Sequence, residues 1–72
     1  FVDADHEYVS VKQDLAVWWP RLRSGGLLAG DDYGHPRYRG LTRAWDEFEV
    51  EQKISCHRDA TPCGTLIWTV KP

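Results

Sequence analysis

Apolar residues at Tyr8, Val11, Leu15, Trp18 and Leu22 recur at spacings of three and four, with Lys12, Gln13, Asp14 and Arg21 on the other faces. That stripe predicts an amphipathic helix with one buried side. Pro20 falls late in the pattern, removes a backbone donor and crowds the preceding turn, so a kink or break near Trp19 is expected. Arg21, Arg23 and Gly25-Gly26 form a stop signal. Leu27-Leu28-Ala29-Gly30 is a short apolar run bounded by glycines, which suits a buried strand. Tyr33 to Gly40 is rich in turn formers and aromatics and is expected to form a loop. Leu41, Ala44, Trp45 and Phe48 then predict a second helix, with Asp46, Glu47, Glu49 and Glu51 on its solvated faces. Lys53 to His57 and Thr65 to Val70 are expected as two strands joined by a turn at Pro62 and Gly64. Ahead of the first helix, Phe1-Val2 reads as the end of a buried strand that stops at the acidic cluster Asp3-Ala4-Asp5-His6-Glu7.

The order is therefore strand, helix, strand, helix, strand, strand, an α/β pattern. Strand-helix-strand implies a right-handed crossover between parallel strands, and the last two strands pair as an antiparallel hairpin. Residues 1–72 are expected to form a single partial domain, half of an open α/β sheet.

Composition narrows the function classes. Seventy-two residues exclude a large two-domain enzyme, while 42% hydrophobic content with four Trp, three Tyr and two Phe is globular rather than disordered. A net charge of −2 gives no reason to expect nucleic acid or an anionic membrane as a partner. No apolar run approaches the roughly 20 residues of a membrane span, and a soluble, cytoplasmic protein is the expectation. The chain contains no Met and opens directly on Phe1-Val2-Asp3, which reads as a processed product or a fragment of something longer. Cys56 and Cys63 are too sparse for a disulfide-stapled miniprotein. Free thiols are expected, with a disulfide across the hairpin mouth or a zinc site with His57 as the alternatives.

Ligands of open α/β sheets bind outside the carboxyl ends of the strands. Asp3, Asp5 and His6 follow the first strand and Asp31-Asp32 follow the second, so both groups belong to that edge. Carboxylates gathered around one point raise one another's pKa unless a cation neutralises them, and hard oxygens suit Mg²⁺, Mn²⁺ or Ca²⁺. The competing reading makes Asp3 and Asp5 helix caps and Asp31-Asp32 the start of a turn. Tyr33, His35 and Tyr38 beside the acids are the candidates for touching a substrate. Tyr8, Trp18 and Trp45 are expected in the core, and Arg37, Arg39 and Arg43 on a solvated face.

The runs Phe1 to Tyr8, Asp14-Leu15, Trp18-Trp19-Pro20, Gly25 to Tyr33 and Arg43 to Phe48 resemble the C-terminal half of a class I S-adenosylmethionine-dependent methyltransferase. The resemblance is greatest to the metal-dependent O-methyltransferases and covers nearly the whole chain. It implies Asp3, Asp31 and Asp32 as ligands of Mg²⁺ or another divalent cation, with Asp3 also on the cofactor side, so that Tyr33 and His35 in the loop would lie beside the substrate. It further implies His6 as the catalytic base that deprotonates a hydroxyl of a small-molecule acceptor. The cation lowers the hydroxyl's pKa, His6 removes the proton, and the oxygen attacks the cofactor methyl in line. Asp31-Asp32 departs from relatives that carry Asn or His in one of the two slots. The Gly-rich cofactor turn and the acid after the second strand of that family have no counterpart among these residues, so the 72 residues alone are expected to be inactive. The Phe1-Val2 edge would then pair with the missing N-terminal half or with a partner chain. Two other readings compete: a non-catalytic remnant that binds a partner through that edge, and a nucleotide-sugar glycosyltransferase with Asp3-Ala4-Asp5 as its metal motif. The latter explains neither Asp31-Asp32 nor Trp18-Trp19-Pro20.

Overall fold

A computed structural model describes residues 7–62 and 64–72. Helix α1 spans Tyr8–Arg21, β1 Leu27–Gly30, α2 Arg39–Gln52, β2 His57–Thr61 and β3 Gly64–Val70. The strand expected at Phe1-Val2, its parallel pairing and its open edge lie outside the described residues. The expected hairpin is present, and its second strand lies in the middle of the sheet. The order is β1-β3-β2 with both pairs antiparallel, Leu27 standing opposite Val70 and His57 opposite Trp68. Helices with a three-stranded sheet make this an α/β structure, compatible with part of an open sheet.

Both helices pack against one sheet face. Val11 and Leu15 of α1, Leu41, Ala44, Trp45 and Phe48 of α2, Leu28, Ile67 and Cys56 form one buried cluster. Phe48 stands edge-on to both Trp19, at 5.2 Å between centroids, and Trp45, at 5.9 Å. Trp45 is fully buried, and its indole Nε1 is a buried donor without a partner among the described residues. The end of β1 lies directly on that ring: a methyl group on Gly30 would stand 2.8 Å from Trp45 Cζ2. On the opposite face Leu27 and Val70 are exposed, Leu27, Ala29, Leu66 and Trp68 line a shallow apolar groove, and His57 stacks on Trp68.

Three expectations need correction. Trp18 is 54% exposed, and Trp19 takes the core-facing position. Residues three and four beyond Leu15 both border the buried stripe, and the edge contact with Phe48 selects Trp19. Helix α1 does not break near Trp19 but continues through Pro20 to Arg21, because a proline in the last turn forfeits only one intrahelical bond. The first hairpin strand begins at His57 rather than Lys53. Lys53 adopts a left-handed conformation, and Ile54 N–H returns to the Glu49 carbonyl at 3.1 Å, so Lys53 and Ile54 close α2. This is a Schellman stop, completed by the packing of Ile54 on the core.

The free end of α1 is closed from the far end of the chain. Lys71 Nζ donates to the Trp19 carbonyl at 2.7 Å and lies 5.2 Å from the centre of the Trp19 ring. A cation at a helix C-terminus is stabilising, and a charged hydrogen bond adds to it. Lys71→Ala is therefore expected to cost about 1–2 kcal/mol, read as a fall in Tm of roughly 5–10 °C. An unchanged melt would show that this contact contributes nothing.

Between α1 and α2, Glu47 accepts from the Tyr8 hydroxyl, lies 3.1 Å from Lys12 Nζ and 3.0 Å from Arg43 Nε. Those donors, Tyr8 first, hold its carboxyl down to about 2 from 4.5. A group whose folded pKa is depressed stabilises the fold above its unfolded pKa and loses that contribution as the pH falls through the folded value. The Glu47 contribution is thus full above about pH 4.5 and fades toward pH 2. Urea titrations along this acid limb are expected to fall less steeply for Glu47→Gln than for the parent; parallel limbs would contradict the assignment.

Candidate functional site

Asp31 and Asp32 follow β1 directly and are half-buried. Gly30 ends the strand against the Trp45 ring, and the chain then turns with Asp32 in a left-handed conformation, φ 65°. Aspartate tolerates that region better than most residues, helped by local hydrogen bonding of its short side chain. Here Asp31 Oδ1 accepts from Asp32 N–H at 2.8 Å. Both carboxylates border Gly64, the first residue of β3, where φ is 142° and no Cβ is present. A methyl group there would stand 3.4 Å from Asp32 Oδ1 and 3.8 Å from Asp31 Oδ1. Two carboxylates beside one side-chain-free position form a hard-oxygen donor set of the kind that suits Mg²⁺, Mn²⁺ or Ca²⁺. Among the described residues there is no cluster of three or more metal-ligating side chains. Asp3 and His6, the expected further ligand and base, lie outside the described residues.

Tyr33 and His35 are on the loop beside the acids, and both are already engaged. Tyr33 N–H donates to the Thr65 carbonyl at 3.1 Å, its hydroxyl donates to Asp46, and Arg58 lies 4.7 Å from its ring centre. Burial and the bond to Asp46 hold the phenol above its ordinary pKa. His35 is exposed, tilts against Tyr38 at 4.8 Å, and accepts from Arg37 N–H at Nδ1, 3.0 Å away. Gly34 N–H donates to Thr42 Oγ1 at 2.8 Å, which ties the loop to α2. Of the two, His35 presents the more open surface to an acceptor.

Sequence reasoning missed Arg58. It stands 2.9 Å from Glu49 and 3.6 Å from Asp46, so two acids expected on solvated faces of α2 belong to one cation. The spacing of Asp46 and Glu49 on a single helix stripe marks them as a pair, but no spacing links that pair to Arg58. Arg58 is the leading cause that keeps the Glu49 carboxyl below its usual value, although burial opposes it. Glu49 also accepts from Cys56 N–H. Cys56 is a free, buried thiol whose pKa is pushed up to about 11 by burial first and by neighbouring Glu49 second. A thiol so placed is inert at neutral pH. Cys56 packs inward while His57 lies against Trp68 on the other sheet face, so the structure does not bring these two together as zinc ligands. Cys63 lies outside the described residues.

No helix among the described residues is long and apolar enough to cross a membrane. Comparison with curated proteins and with solved structures finds no match. Residues 1–33, the stretch that ends on Asp31, Asp32 and Tyr33, match the family model described as a methyltransferase domain, which supports a methyltransferase domain for this part of the chain.

Proposed function

We propose that the chain is the C-terminal half of an S-adenosylmethionine-dependent O-methyltransferase assisted by a divalent cation and acting on a hydroxyl of a small molecule. The observation that carries the reading is the coincidence of the methyltransferase-domain match with a strand end bearing two adjacent carboxylates beside Gly64. In this reading Asp31 and Asp32 hold the cation together with Asp3, which also borders the cofactor. When bound, the cation supplies the positive charge that acidifies the acceptor hydroxyl, and the cofactor supplies the methyl group. His6 takes the hydroxyl proton on an imidazole nitrogen, a task its near-neutral unperturbed pKa suits. His35 and the Tyr33 edge of the loop border the acceptor and orient it.

The test is equilibrium binding of S-adenosylhomocysteine to the intact gene product, with Mg²⁺ and with a chelator. Binding that Mg²⁺ strengthens is expected; no binding under either condition overturns the reading. A partner-binding remnant is the second reading, favoured by the apolar outer sheet face on which Leu27 is 59% and Val70 48% exposed.

A further inference from the structure

The residue after the two acids is fastened at three points. Tyr33 N–H donates to Thr65, its hydroxyl donates to Asp46, and Arg58 Nη2 reaches the same hydroxyl at 3.2 Å while its guanidinium covers the ring. Arg58 is itself anchored by three further contacts. Nη2 lies 2.9 Å from Glu49 Oε1, and Nη1 lies 3.2 Å from Glu49 Oε2 and 3.0 Å from the Cys56 carbonyl. Immediately before Tyr33, Asp32 holds a left-handed backbone, which aspartate tolerates better than most residues but which its surroundings still have to select. Within the loop, Asp31 supplies one hydrogen bond to that backbone. His35 N–H adds a second, to the Asp32 carbonyl at 3.2 Å, and Arg58 holds the adjoining Tyr33 from outside the loop through its hydroxyl and its ring face.

We propose that Arg58 is a positioning residue for the strand-end acids. By clasping Tyr33 it holds Asp32 left-handed and keeps the Asp31 and Asp32 carboxylates side by side against Gly64. The inference rests on the cation reading given above and adds to it a residue from the far hairpin. Arginine suits the task because its planar fork grips Glu49 at two oxygens while its face stacks on Tyr33. Lysine, a point charge, keeps the attraction to Glu49 without the fork or the stacking.

The experiment titrates Mn²⁺ alone into the intact gene product and into its Arg58→Ala, Arg58→Lys and Tyr33→Phe variants, with amide exchange at Tyr33 and Gly34 measured in parallel. Partners that orient a ligand typically cost about 10- to 100-fold in metal affinity when removed. Arg58→Ala is expected to fall in that range, with Arg58→Lys and Tyr33→Phe closer to the parent and with faster exchange confined to the loop. If Arg58→Ala does not fold, the two milder variants carry the same comparison. Parent-like affinity in every folded variant overturns the proposal, as does exchange that rises uniformly over the domain, which would mark a general loss of stability. If the parent itself does not bind Mn²⁺, the cation reading fails, and the exchange data decide Arg58 separately. Loop-confined acceleration keeps it as the clasp of Asp32, and unchanged exchange removes that role as well.

Discussion

Trp45→Ala is expected to lower the melting temperature by at least about 15 °C, whereas Trp18→Ala melts within a few degrees of the parent. Trp45 is fully buried, meets Phe48 edge-on and supports the end of β1. Removing such a ring deletes its transfer energy and leaves a cavity that the surroundings fill only in part, about 3–5 kcal/mol in all. A domain of 72 residues has only roughly 4–11 kcal/mol of total stability to lose. Trp18, 54% exposed, belongs with surface positions whose substitution stays within about 0.5 kcal/mol. Near-UV circular dichroism and thermal melts read both variants directly. A Trp45→Ala protein with a parent-like Tm would mean that the core is organised around something other than this indole. Trp45→Phe is the informative intermediate, because it keeps a ring in place and deletes a buried N–H that has no partner among the described residues.

The second large effect concerns function. Under the methyltransferase reading, Asp31→Ala and Asp3→Ala abolish metal-dependent methyl transfer by the intact gene product. The expected drop is at least about 100-fold, the upper end of what removing a mere orienting partner costs. His6→Ala lowers the rate by about 10²- to 10⁴-fold with little change in cofactor affinity, as loss of a general base does. Asp31 also accepts the Asp32 N–H, so its replacement by alanine removes a turn contact along with the charge. Asp31→Asn separates the two, since its side-chain oxygen still accepts that bond while the carboxylate is gone. Transfer at the parental rate by Asp31→Ala, at the parental concentration of Mg²⁺, would sink the metal assignment, whereas Asp31→Asn keeps an oxygen donor and is expected to lose less.

Much of this architecture was legible because the relevant patterns are complete within short stretches. Leu41, Ala44, Trp45 and Phe48 are all buried, as their helical spacing requires. Leu27–Gly30 is a strand because flanking glycines bound its apolar run, and the same boundary places the two acids at its end. Where two answers fitted one pattern, spacing could not choose, and adjacent Trp18 and Trp19 show it. Strand β2 was displaced because all five of its residues are exposed, so no alternation of apolar side chains marks it. Ile54 and Cys56, which supplied the apolar signal there, belong to the helix stop and the core. Arg58 was invisible for a different reason: its partners Tyr33 and Glu49 come from separate elements, and no sequence spacing links them.

The middle position of β3 also sets the order in which the molecule can be made. Neither β1 nor β2 pairs with the other; each finds its hydrogen bonds on Gly64–Val70, the last of the three to leave the ribosome. The helix pair can dock once Gln52 has emerged, but the sheet beneath it waits for a pairing as distant in sequence as Leu27 with Val70. A premature stop between Thr61 and Gly64 therefore removes the central strand rather than an edge, leaving two orphaned strands with unpaired backbone. Such a product would be handed to chaperones and proteases as an aggregation hazard.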